Sequence, residues 1–257
     1  QLITPLNSVV YSAMNDAADF YTGLIAELYE PLASGITGSR RFIDFVKTHG
    51  EPALEICCGT GLPILDLIEA GLDVEGLDAS EDMLKICNAN SRKRNLEVTL
   101  HHSKMQDFAV PRKYRSVYVA NGSITLLSSD ADLHNTLVRI RACLAPTGTV
   151  LIDLDVPNVA DLRKYVGRFK TTEIDGYQLR VGMTHLEWNE ISQQIVAELR
   201  YERIDPKGEV ESVDRSWART IWNVDQFSEH LINAGFNLRS VDESHGELIQ
   251  VFASVAT

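Results

Sequence analysis

From residue 53 to residue 157 the chain alternates short apolar runs with helix-patterned stretches, and this restricts its fold more than any other feature. The apolar runs fall at 53–57, 74–77, 96–101, 116–120 and 149–154, with helical patterns at 62–70, 80–91 and 130–144. Strand–helix repeats of this kind place successive strands parallel in one sheet with helices on both faces. Upstream, residues 8–49 read as helical: Tyr21, Leu24, Ile25, Leu28, Tyr29 and Leu32 recur at helical spacing, and Phe42, Ile43, Phe45 and Val46 follow after breaks at Gly35 and Gly38. Beyond Pro157 the period falls to two. Ile195, Ala197, Leu199 and Tyr201 share one face, and 205–210 reads as a turn, which predicts an antiparallel sheet. A helix at 223–234, stopped by Gly235, and strands near 237–241 and 248–255 complete the pattern.

The first strand–helix junction reads Glu55-Ile56-Cys57-Cys58-Gly59-Thr60-Gly61. Gly59 and Gly61 let a ligand lie against the backbone, and they make positive φ inexpensive. Pro63 suits a helix start because it has no N–H to leave unsatisfied. The free amides and partial positive charge of that helix end favour an anionic group. A dinucleotide fingerprint would place glycine or alanine where Ile64 stands, and no Gly-Lys-Ser/Thr follows for a phosphate loop. Asp78 ends the next strand, where a carboxylate can accept both hydroxyls of a ribose.

With these residues in view, the chain resembles the class I S-adenosylmethionine-dependent methyltransferases. The matching motifs are LEICCGTG, VEGLDASEDML, HSKMQDF, SVYVANGSITLL and LAPTGTVLIDLDVPN, in family order over roughly residues 50–157. In layout it is most similar to the small-molecule branch, the antibiotic amino-sugar N-methyltransferases and glycine N-methyltransferase-like enzymes. The resemblance implies an α/β fold with a doubly wound, mostly parallel seven-stranded Rossmann-like sheet. It also implies an antiparallel strand-rich insertion and a cap of N-terminal helices. All 257 residues would then form one methyltransferase domain, with a core at 50–157 and 235–257 and a cap at 1–49 and 158–234.

The resemblance also assigns roles. Glu55, Cys57, Gly59, Thr60, Gly61 and Pro63 would surround the methionine end of S-adenosylmethionine. Asp78 would hold its ribose, and Ala79, Met83, Met105 and Gln106 would enclose the adenine. Asn121 and Gly122 would lie beneath the sulfonium, and Tyr21 and Tyr29 would close over the carboxylate; core packing is the other reading of these tyrosines. Lys104 departs from the pattern: the family often has an acid there, and an ammonium cannot accept the adenine amine's hydrogen bond.

A sulfonium methyl needs an in-line nucleophile and a dry site. An amine nitrogen, the favoured acceptor, brings its own lone pair. A hydroxyl acceptor would need a general base. The candidate catalytic groups are Asp155, His185 and Asn121, with Asp153 and His245 as further titratable groups. Trp188, Tyr201, Trp217, Arg219 and Trp222 are expected to line the acceptor pocket or to fill the core behind it. A protein that binds the cofactor without catalysis is the alternative from another class.

Composition narrows the partners. With 24 Lys and Arg against 36 Asp and Glu, the net charge is −12, which disfavours nucleic acid. No apolar run is long enough to cross a membrane, and nothing at the N-terminus reads as a signal peptide. Four cysteines without a C-x-x-C spacing predict reduced thiols, no bound metal and a cytoplasmic setting. A small-molecule acceptor is the expected partner, and a homodimer is compatible with the resemblance.

Overall fold

A computed structural model describes residues 17–33, 38–244 and 248–256. Its elements in chain order are α1 (Ala17–Phe20), α2 (Leu24–Leu32), α3 (Arg40–His49), β1 (Ala53–Ile56), α4 (Ile64–Glu69), β2 (Val74–Asp78), α5 (Glu81–Lys93), β3 (Thr99–His102) and β4 (Tyr114–Val119). They continue with α6 (Asp130–Cys143), β5 (Leu144–Asp155), α7 (Val159–Leu162), β6 (Phe169–Ile174), β7 (Tyr177–Asn189), β8 (Gln194–Ile204), β9 (Val210–Thr220), α8 (Val224–Asn233), β10 (Phe236–Asp242) and β11 (Leu248–Val255). A 3₁₀ turn, Ser123–Leu126, follows β4.

Two sheets result. The first has seven strands in the order β10-β11-β5-β4-β1-β2-β3. Strands β1 to β5 run parallel within it, and β11 enters antiparallel beside β5. The order reverses between β1 and β4, so the carboxyl ends of these strands open a crevice at the switch point, where ligands of open α/β sheets bind. Both faces are covered. Leu54, Ile56, Val117, Val119, Val150 and Ile152 face a core closed by α6 and α8, while Ala53, Cys58, Tyr118 and Leu151 face α3, α4 and α5. Such two-sided burial is what makes the strands read as continuous apolar runs.

The second sheet is an antiparallel meander, β6-β7-β8-β9. Ile195, Ala197 and Tyr201 are buried along one face of β8. Its turn is closed by the Asp205 side chain, which accepts from the amides of Lys207 and Glu209. The segment α1–α2 lies between this sheet and the first. Phe20, Ile25, Leu28 and Leu32 pack with Leu179 and Tyr201. The amide of Gly23 donates to Asp82, and the Ser80 hydroxyl donates to the Tyr21 carbonyl. These bonds fix the segment over the carboxyl edge of β2.

Helix α3 packs on the parallel sheet through Phe42, Phe45 and Val46, with the Phe42 ring stacked 5.0 Å from that of Tyr118. Helix α8 packs on the opposite face through Phe227 and Leu231. Both are amphipathic, and the nearest apolar surface is the core sheet. Strand β3 begins at Thr99 rather than residue 96, because Leu96 is used to stop α5: its amide donates to the Ser91 carbonyl. Gly35, His245 and residues 8–16 lie outside the described stretches.

Candidate active site

The junction after β1 turns sharply. Cys57, Gly59 and Gly61 have φ of 62°, 52° and 109°. At Gly61 a methyl group would lie 2.7 Å from Leu65 Cδ1 and 3.1 Å from Cys87 Sγ, so glycine is required. At Gly59 the same position is open space, and this residue borders a cavity of about 230 Å³.

Asp78 anchors one end of that cavity. Its carboxylate accepts from the amides of Gly59 (2.8 Å) and Ser80 (2.8 Å), which ties the ends of β1 and β2 together. Burial pushes its pKa up, and the amide bonds oppose that shift. Ala79, Met83, Met105, Gln106 and Lys104 continue the wall. Ser80 caps α5 by accepting from the amide of Met83.

Tyr21 and Tyr29 stand over the middle of the cavity, edge to face at 5.6 Å. Burial raises the pKa of both phenols, more strongly for Tyr21, so both carry their protons at neutral pH. A smaller cavity of about 150 Å³ shares Tyr29, Cys57 and Gly59 with the first and continues to Thr60, Leu62 and Asn121. Cys57, expected at the methionine end of the cofactor, is partly buried on the boundary of both cavities. Burial and the nearby carboxylates Asp78 and Glu55 hold its thiol protonated.

Glu55 lies beneath the turn with no exposure. Tyr118 Oη donates to its Oε2 at 2.9 Å, and its Oε1 has no hydrogen-bond partner. Burial drives this carboxyl well above the usual range. It therefore supports the turn from behind, and neither cavity reaches it. The same holds for Gly61 and Pro63, which cap the helix side of the turn.

The other end of the cavity belongs to the second sheet. Trp217 and Arg219 reach in from β9. The Arg219 guanidinium pairs with Asp155 at 2.5 Å, donates to Thr125 Oγ1 at 2.7 Å and lies over the Trp217 ring at 5.1 Å. Gly122, with φ 71°, lies so close to Asp155 that a methyl group there would be 2.5 Å from Asp155 Cβ. Asn121, φ 56°, is held by its amide donating to the buried Asp153, which also pairs with Arg41 and accepts from Gln250.

Several expectations are corrected by this geometry. Asp155 is engaged by Arg219 and borders neither cavity, so it is not an open base. His185 is 59% exposed and pairs with Glu187 on β7, outside both cavities. Trp188 lines a separate surface depression at the far end of β7. Tyr201 packs under Phe20 in the layer behind the cavity. Trp222 is buried in the core below the parallel sheet, its indole donating to Asp130 at 2.8 Å. The chain leaves β9 at Thr220, between Trp217 and Trp222.

Other lining residues escaped the sequence reading. Ser123, Leu126, Leu127, Ser128 and Asp132 come from the turn after β4 and the start of α6; Gln194, Ser216 and Thr220 come from the second sheet. The NGSITLL motif pointed to the first group only as far as Gly122, and nothing local marks the second.

Residues 53–148 match a family model described as a methyltransferase domain. The chain is 36% identical over 141 residues to the dTDP-3-amino-3,6-dideoxy-alpha-D-glucopyranose N,N-dimethyltransferase of Streptomyces fradiae, covering 52% of this chain and 54% of that one. It is 30% identical over 115 residues to the glycine/sarcosine N-methyltransferase of Aphanothece halophytica, covering 44% and 43%. The chain thus spans about half the length of the curated relatives it matches. The sugar N-methyltransferase KedS8 from Streptoalloteichus has the same fold along the whole of both chains, with a TM-score of 0.70 and 18% identity. The resemblance to class I small-molecule methyltransferases, the amino-sugar enzymes in particular, therefore holds in sequence and in fold. The matched residues run from β1 into β5 of the parallel sheet. No described helix is long and apolar enough to cross a membrane.

Proposed function

We propose that this protein transfers a methyl group from S-adenosylmethionine to the amine nitrogen of a small molecule. The observation that carries this reading is Asp78. Its carboxylate sits at the carboxyl end of β2, bonded to the Gly59 and Ser80 amides, and faces a cavity that runs on beneath Tyr21 and Tyr29 to the second sheet.

The donor set suits the cofactor. Each Asp78 oxygen keeps a lone pair beyond its amide bond, enough for two ribose hydroxyls. Met83 and Met105 offer apolar faces for adenine. Gln106, rather than Lys104, or else a backbone carbonyl, would accept from the adenine amine. The smaller cavity, with Gly59, Thr60 and the Tyr29 phenol, suits the amino-acid end. When bound, the cofactor supplies an electrophilic methyl on a sulfonium.

The chain does the rest by position. Asn121 and Gly122, held by Asp153 and Asp155, form the floor under the reacting end. Tyr21, Tyr29 and Trp217 exclude water and hold the acceptor in line. A neutral amine needs no base for the transfer itself, which fits an Asp155 neutralised by Arg219 and a remote His185; an amine that arrives protonated must first give its proton to the Asp132 carboxylate on the cavity wall or to water. The chain would act as one methyltransferase domain built on both sheets.

The test is a calorimetric titration with S-adenosylhomocysteine. Binding is expected in the parent. Asp78→Asn is expected to weaken it about tenfold, the cost of removing a charged acceptor from two hydroxyls. Absence of binding in the parent overturns the proposal.

A further inference from the structure

The acceptor end of the cavity has a charge pattern that selects among amines. We infer that the acceptor is a small amine, cationic at neutral pH and carrying no phosphate, collected by the carboxylate of Asp132. This rests on the methyltransferase reading above and narrows it. It separates this protein from a relative whose name specifies a nucleotide-linked amino sugar.

A diphosphate needs guanidinium groups, ammonium groups or free helix amides. One helix of sufficient length opens on this end of the cavity, α6, whose N-terminal residues Ser128 and Asp132 line it. Its positive end is already occupied by the chain's own carboxylates, Asp130 and Asp132 in the first turn. Asp132 Oδ2 accepts from the hydroxyls of Ser128 (3.0 Å) and Ser129 (2.7 Å), which fixes the group without neutralising it. An arriving phosphate meets a carboxylate where it would need a cation.

The basic residues nearby are committed elsewhere. Arg219 is compensated by Asp155. Arg215, on the same strand, is turned to the Asp19 carbonyl at 3.2 Å. Lys104 lines the cofactor end beside Met105 and Gln106. The segments outside the described residues contain no Lys or Arg at all, so they bring none to this end. An ammonium finds the opposite setting. It donates a charge-assisted hydrogen bond to Asp132 and meets the aromatic faces of Tyr21 and Trp217, inside a chain whose net charge of −12 draws cations toward it.

The experiment uses the full chain saturated with S-adenosylhomocysteine, titrated by calorimetry with two probes. One is methyl 3-amino-3-deoxyglucoside, a phosphate-free amine; the other is thymidine diphosphate. The amino glycoside is expected to bind, and thymidine diphosphate to give no binding up to about 1 mM. Asp132→Asn should weaken the amino glycoside on the order of tenfold, with S-adenosylhomocysteine affinity unchanged. Asp132→Lys should begin to bind thymidine diphosphate. Parent binding of thymidine diphosphate tighter than about 0.1 mM overturns the inference. So does failure of the amino glycoside to bind, or an Asp132→Asn variant that binds it as the parent does. Loss of S-adenosylhomocysteine binding in the parent is a different failure, because it removes the methyltransferase reading itself.

Discussion

The two sheets contribute to one cavity in different ways. The parallel sheet contributes with the ends of its strands: Cys57 after β1, Asp78 at the end of β2, Asn121 after β4. Its faces are given over to packing, with β1 wholly buried. The antiparallel sheet contributes along the length of an edge strand, through Ser216, Trp217, Arg219 and Thr220 on β9. Elsewhere it carries exposed cross-strand ion pairs such as Arg200–Asp214 and Arg203–Glu211. Strand ends are set by where a chain turns, which is a local matter. A sheet face acquires its role from whatever is packed against it. Chemistry that varies little between substrates suits the first arrangement, and specificity for one acceptor suits the second.

The two tryptophans near the end of β9 test this division most severely. Trp222→Ala empties a buried site in the core of the parallel sheet and is expected to cost about 3–5 kcal/mol. Trp217→Ala removes a cavity wall and should lower stability far less, while reducing turnover of the acceptor. Thermal melting beside steady-state kinetics reads both, and equal losses of stability would break the comparison.

A smaller effect is expected at the turn after β1. Gly61→Ala brings a methyl group to 2.7 Å from Leu65 Cδ1 at a φ of 109°. A loss of about 2–3 kcal/mol is expected, together with weaker S-adenosylhomocysteine binding. Normal cofactor affinity in a destabilised variant would detach the turn from the site.

Glu75 sharpens the picture on the parallel sheet alone. Burial raises its pKa, but hydrogen bonds from His101, Tyr114 and Arg112 outweigh that and hold it below the usual range. A depressed carboxylate adds stability above its unfolded pKa and loses it as pH falls through the folded value. Glu75→Gln should therefore cost about 1.5–3 kcal/mol near neutrality, and the difference from the parent should shrink as pH drops below about 4. Denaturant titrations at several pH values measure this, and a pH-independent penalty would show that packing rather than charge is lost.

Much of the cofactor half was legible in the chain. The positions of Gly59, Gly61 and Asp78 follow from a strand, a turn and the next strand, all within one local stretch. The glycines reveal the turn because few other residues tolerate positive φ. Cys57 breaks that rule at φ 62°: the resemblance placed it at the site, but nothing in the sequence marked its left-handed backbone. The acceptor half was poorly legible. Trp188, Tyr201, Trp217 and Trp222 look equivalent as aromatic residues on period-two segments, yet the fold sends one to a distant depression, one behind the cavity, one into it and one into the core. Asp155 and His185 were chosen for their chemistry, but an ion pair with a distant strand and simple exposure decide otherwise.

By itself, the sequence determined the parallel sheet, its switch point and the carboxylate at the end of β2, because apolar periodicity and glycine placement act over neighbouring residues. Only the tertiary structure decided that the end of β9 meets the cavity, that Arg219 neutralises Asp155, and that Asp132 lines the same cavity. Those contacts join residues far apart in the chain, and they form only once α1, α2 and the second sheet have closed over the first.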